Sequence, residues 1–211
     1  MKITKKQILV VMSVTVLFFT GFTQIKTIEM VRESNFKKKE MSMKRVKAEV
    51  YIDAPINKVW AIVGKNFDEN SKFSLEAKKT YYLKKVDGMV GSQRRTVNHK
   101  DKVIDVEVIE YDPKKNHVKW EIYNMNVAPL KAGNSSYTLR AHSSGGTILE
   151  QKAAFKMKIF FMDWVAKGKF TTLFKTQLAA IKHLAETDEI ITPQTKDEIV
   201  ERYADAINVI K

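Results

Sequence analysis

Between Thr80 and Ile159 the chain runs in short stretches that alternate apolar and polar residues, each ending in turn chemistry. The stretches are Thr80–Val86, Ser92–His99, Val103–Tyr111, His117–Asn124, Ser135–Ala141 and Thr147–Ile159. Between them stand Asp87-Gly88, Lys100-Asp101, Asp112-Pro113, Pro129 to Gly133 and Ser144-Gly145-Gly146. A period of two with breaks this short predicts strands joined as hairpins, hence an antiparallel sheet, because parallel neighbours need long crossovers. Ile104, Val106 and Val108 alternate with Asp105 and Glu107, and Val118, Trp120 and Ile122 alternate with Lys119 and Glu121. One face of the sheet is therefore wet and the other covered.

The elements on either side supply the cover. Ahead of the hairpins, Val46, Ala48, Val50 and Ile52 alternate with Lys47, Glu49, Tyr51 and Asp53, which predicts a further strand. Pro55 then suits a first helical turn, Ile56, Val59, Trp60 and Val63 recur at helical spacing, and Gly64 stops them. A second short helix is expected between Asp68 and Lys78. Behind the hairpins, from Trp164 to Ala185, Phe170, Leu173, Phe174, Leu178, Ile181 and Leu184 fall at three- and four-residue steps, the stripe of a long amphipathic helix. A last helix is expected after Thr192-Pro193, with a capping-box spacing at Thr195 and Glu198 and a stripe of Ile199, Tyr203, Ile207 and Ile210.

The amino terminus is a different object. Lys2, Lys5 and Lys6 precede an uncharged apolar run from Ile8 to Phe22, the pattern of an export signal. The run is shorter than the roughly 20 residues that span a bilayer squarely, and no Ala-x-Ala follows it, so cleavage and retention as a signal anchor both stay open. Thr27 to Lys47, with Arg32, Lys37, Lys38, Lys39, Lys44 and Arg45, reads as a basic tether that could lie against anionic lipid headgroups. The division is thus 1–25 signal peptide or anchor, 26–45 tether, 46–187 α+β domain and 188–211 additional amphipathic helix. The domain is expected outside the cytoplasm, exported or anchored in the cell membrane.

The charge of +13 favours anionic partners, and the absence of cysteine removes disulfides, thiolate metal sites and thiol nucleophiles. Nucleic acid is not expected: the export signal separates the domain from it, and the positive charge is spread along the chain instead of interleaved with aromatics.

Strand, two short helices, six antiparallel strands and a long carboxy-terminal helix resemble the helix-grip fold of the START-like, or SRPBCC, superfamily of polyketide cyclases, lipid-transfer domains and the birch pollen allergen. The residues that carry this are Val50-Tyr51-Ile52-Asp53-Ala54-Pro55-Ile56-Asn57-Lys58-Val59-Trp60, then Gly88-Met89-Val90-Gly91 leading to Arg94-Arg95, and Val108-Ile109-Glu110-Tyr111-Asp112-Pro113. They are similar to the bacterial cyclase-like branch. The resemblance implies a seven-stranded antiparallel sheet wrapped around the long helix, with an apolar pocket between them, and a binder or carrier of a small hydrophobic or amphipathic, lipid-like molecule. It also leaves two alternatives: an aromatase/cyclase-like enzyme using the same pocket, or an envelope interaction protein with a vestigial one. The helix after Asp188 departs from the pattern.

Candidate lining residues are Trp120, Phe155, Met157, Phe170, Phe174 and Leu178. Arg94 and Arg95, adjacent on a strand, must point to opposite faces, so one heads for the cavity, where a guanidinium would need a carboxylate or phosphate. Val97 and His99 share the face of Arg95, which favours Arg95 as the anchor for an acidic headgroup. No catalytic residue, cofactor or metal is expected: His99, His117, His142 and His183 are far apart, Ser92 lacks a nucleophile elbow, and Gly88-x-x-Gly91 lacks the lysine of a phosphate loop.

Overall fold

A computed structural model describes residues 43–159 and 162–210 of the 211-residue chain. The apolar run Ile8–Phe22 and most of the basic tether lie outside the described residues. Among the described residues no helix is long and apolar enough to cross a membrane.

Strand β1 (Lys44–Ile52) is followed by a one-turn helix α1 (Ile56–Trp60), a π-helical turn (Ala61–Lys65) and a 3-10 turn (Phe67–Lys72). Then come β2 (Ala77–Lys84), β3 (Gln93–Asn98), β4 (Val103–Asp112), β5 (His117–Met125), β6 (Leu130–Ala141) and β7 (Thr147–Met157). The long helix α2 (Met162–Thr187) follows, then α3 (Lys196–Arg202), a 3-10 turn (Ala204–Ala206) and β8 (Ile207–Ile210). The sheet is antiparallel throughout, in the order β2-β3-β4-β5-β6-β7-β1-β8.

The covered face carries Val46, Ala48, Val50 and Ile52 from β1, Val106 and Val108 from β4, Val118 from β5, Tyr137 and Leu139 from β6, and Leu149 and Phe155 from β7, all buried. Phe174, Leu178, Ile181 and Ala185 of α2 pack on them. A fully buried aliphatic side chain contributes roughly 1.5–3 kcal/mol, so this one layer between helix and sheet dominates the stability. From Phe174 to Ala185 the inner side of α2 is sealed, and nearer its start Ala166 is buried and half-buried Phe170 stacks on Phe155.

Four expectations need correction. The sheet has eight strands, not seven, because the expected final helix ends at Arg202 and Ile207–Ile210 add antiparallel to β1, Val50 opposite Ile207. The capping box does not form: Thr195 makes no side-chain cap, its hydroxyl instead accepting the Thr192 N–H at 3.0 Å, while Glu198 pairs with Arg202. Gly64 does not stop the first helix; the backbone passes from α to π geometry to Lys65, and Gly64 lies under the Trp60 ring, where a Cβ would meet the indole at 2.3 Å. Pro129 to Gly133 is not all loop, since β6 starts at Leu130 and absorbs the irregularity as a bulge before Ala132.

The carboxy-terminal extension packs on this same domain. Ile191, Ile199 and Ile207 are buried, and Lys58 bridges to Asp188 at 2.9 Å. These three isoleucines are thus used internally, while Ile190 and Ile210 stand exposed.

Candidate functional site in the interior of the grip

The two arginines of β3 go to opposite faces, as strand geometry requires. Arg94, opposite Tyr82 and Val106, turns inward and is buried, 7% exposed. Its Nη1 donates to the carbonyl of Phe67 at 2.6 Å, and its guanidinium carbon lies 4.1 Å from the Phe67 ring centroid and 6.0 Å from that of Trp120. Its Nε has no hydrogen-bond partner, and no carboxylate among the described residues pairs with it. Burial pulls its pKa down to about 10, with Tyr137, Tyr82 and Asp68 opposing the shift. At neutral pH it is still a cation, in a place where cations are costly.

Arg95 is the reverse. It lies opposite Asp105 and grips that carboxylate with two bonds, Nε to Oδ1 at 2.7 Å and Nη2 to Oδ2 at 2.8 Å. Asn124 donates a third bond to Asp105 at 2.8 Å. Arg95 accordingly holds the Asp105 carboxyl below its usual range. The preference for Arg95 as the inward anchor is therefore overturned, because its cross-strand neighbour supplies a carboxylate on the outer face. His99 does not join either arginine: β3 ends at Asn98, and His99 stands exposed in the β3–β4 turn.

Arg94 is accompanied by other polar atoms left without partners. The buried Tyr137 hydroxyl has none, and desolvation raises its pKa. Tyr137 packs against Trp120 at 5.1 Å between ring centroids, and Trp120 against Phe67 at 6.3 Å. The Trp60 indole N–H is also unpartnered, its ring stacked on Tyr111 at 5.7 Å. Gln151 donates to the Gln177 side chain at 2.8 Å, but its carbonyl oxygen has no partner. Buried polar groups are nearly always satisfied, so the unpartnered Tyr137 hydroxyl beside a buried cation is unusual.

Of the remaining candidates, Trp120 belongs to this cluster. Phe155 stacks on Phe170 at 4.3 Å toward the start of α2, and Met157, Phe174 and Leu178 lie in the same core. Phe67, Tyr82, Trp60, Tyr137 and Gln151 were not among the candidates. Tyr137 and Leu139 alternating with Ser136 and Thr138 carried a legible signal; Phe67, in an unpatterned 3-10 turn, carried none. No group of three His, Asp or Glu side chains among the described residues could hold a metal.

The family described as polyketide cyclase / dehydrase and lipid transport matches residues 43–186. The chain belongs to that family. With that family goes the START-like helix-grip fold, and solved structures share the fold at low identity. The protein XoxI from Bacillus cereus superposes with a TM-score of 0.58 at 15% identity, covering 68% of this chain and 96% of its own. A protein from Thermobifida fusca gives 0.58 at 13% identity, covering 66% and 91%. Ara h 8.0201 gives 0.54 at 16% identity, covering 68% and 98%. No curated protein sequence matches the chain. The family's description joins cyclase chemistry with lipid transport, and both rest on taking up hydrophobic ligands. Because the shared fold makes up nearly all of each solved neighbour, it stands as an independent protein there, and Lys44–Lys211 is likewise a compact unit.

Proposed function

We propose that this domain binds a small apolar molecule with an acidic head in the interior of the grip, and carries or holds it without covalent chemistry, at or outside the membrane. Arg94 is the observation that carries this reading. A buried guanidinium with one backbone acceptor, an unpartnered Nε and no carboxylate is costly when the site is empty and is repaid when an anion arrives. The Tyr137 hydroxyl can donate to the same head, and Trp120 and Phe67 wall it. Phe155, Met157, Phe170, Phe174 and Leu178 supply apolar surface for the tail, at about 0.8 kcal/mol per buried methylene. The location is supported by the lysines ahead of the apolar run Ile8–Phe22.

Native mass spectrometry of the protein purified from its own host tests the ligand. A bound mass released as a carboxylate- or phosphate-bearing amphiphile is expected; protein that is uniformly ligand-free would argue for a vestigial interior. Fusing Met1 to Lys47 to a reporter active only outside the cytoplasm tests the location, and an inactive reporter would reject it.

A further inference from the structure

One end of the sheet gathers three features of different kinds. The β3–β4 turn, the β5–β6 loop and the end of β7 meet there, tied by the Asn126 N–H to the Val103 carbonyl at 3.1 Å and the Lys158 N–H to the Pro129 carbonyl at 2.8 Å. Lys100, Lys102, Lys131 and Lys158 stand exposed on these segments, and no side-chain partner holds them among the described residues. Of the carboxylates nearby, Asp101 pairs with Lys78 at 3.1 Å, Asp163 accepts the Met157 N–H at 2.8 Å and Glu76 is exposed. Between the lysines project Val127 at 43%, Ile159 at 43% and, one turn into α2, Val165 at 46% exposure.

At the opposite end Lys115 is paired with Asp112, Lys58 with Asp188, and Glu186 takes the Asp53 N–H and Lys182, while Lys84, Lys85 and Lys114 are exposed near Leu83 and Val90. The basic end is also where the chain enters the domain, since Lys44 pairs with Phe155 near the end of β7. The 43 residues ahead of Lys44, with their apolar run, join here.

We infer that this end is a docking surface for an anionic lipid bilayer, with Lys100, Lys102, Lys131 and Lys158 on the headgroups and Val127 and Ile159 dipping below them. Exposed apolar residues ringed by lysine fit a charged leaflet, which attracts each nearby lysine and accepts the apolar tips. The docking surface does not depend on Arg94, so it stands or falls apart from the ligand reading.

The fragment from Met41 onward, which lacks the apolar run, should float with vesicles of equimolar phosphatidylcholine and phosphatidylglycerol but not with phosphatidylcholine alone, and raised salt should release it. Changing Lys100, Lys102, Lys131 and Lys158 together to Gln should weaken this binding by several hundredfold, at about fivefold per lysine. The same number of changes at the other end, Lys84, Lys85, Lys114 and Lys115 to Gln, should leave most of it. Val127→Asp with Ile159→Asp should also weaken binding. Thermal unfolding checks that each variant is folded, and Lys131→Gln and Lys158→Gln singly replace the quadruple variant if it is not. Absence of binding, equal binding to both vesicles, or equal losses from the two lysine sets would overturn the inference.

Discussion

Arg94 and Arg95 are successive residues of β3, and the two faces of the sheet treat the same side chain in opposite ways. On the outer face Arg95 meets a bidentate carboxylate that is itself held by Asn124. On the inner face Arg94 meets aromatic rings, one carbonyl and no counter-charge among the described residues. The outer arrangement is complete in itself and serves stability. The inner one is incomplete, and an incomplete buried charge is poorly explained by stability, since apolar replacement of buried ions is often neutral or stabilising. The contrast therefore separates a structural arginine from a ligand-binding one.

The largest effect should come from placing a charge where the inner face has no partner to offer at all. Leu178→Asp, at a fully buried position of α2, should cost on the order of 4 kcal/mol or more and abolish cooperative folding. A melting temperature close to that of the parent would mean that α2 does not seal the inner face.

Arg94→Met sharpens the comparison in the other direction. Removing the unpaired cation should leave the ligand-free domain as stable as the parent or more stable, by about 1 kcal/mol or some 2–8 °C, while acid binding is lost. A large loss of stability would show that Arg94 is structural, like its neighbour.

A smaller effect is expected on the outer face, and it depends on pH. Because Arg95 holds the folded Asp105 pKa below 3.8, the pair stabilises fully above that value and the contribution is lost as pH falls through the folded pKa. Asp105→Asn should therefore melt a few degrees below the parent at neutral pH, with the gap closing as the solution is acidified below about pH 4. A gap that is the same at all pH values would separate Asp105 from this linkage.

Much of the inner face is legible in the sequence. Alternation in β4 and β5 and the stripe from Phe170 to Leu184 place the core and the helix that covers it. The choice between Arg94 and Arg95 was not legible. Apolar neighbours favoured Arg95, but the deciding fact is that Asp105 stands across the strand pair, and cross-strand register is set by turns whose lengths the sequence marks only loosely. The carboxy terminus failed for a related reason: Ile199, Tyr203, Ile207 and Ile210 suit a helix, yet the exposed edge of β1 offered Ile207–Ile210 backbone pairing that periodicity cannot see. Phe67, which supplies both the carbonyl and the ring beside Arg94, lies in a 3-10 turn without a pattern to read.

Displacement of a fluorescent apolar probe by a fatty acid and by the matching fatty alcohol tests the central claim most directly, in the parent, Arg94→Gln and Arg95→Gln. The parent and Arg95→Gln should prefer the acid by roughly tenfold or more, as a charge-assisted bond to a buried partner implies, and Arg94→Gln should bind acid and alcohol alike. An acid preference that survives in Arg94→Gln, or that disappears in Arg95→Gln instead, would contradict the assignment of the inner arginine to the ligand.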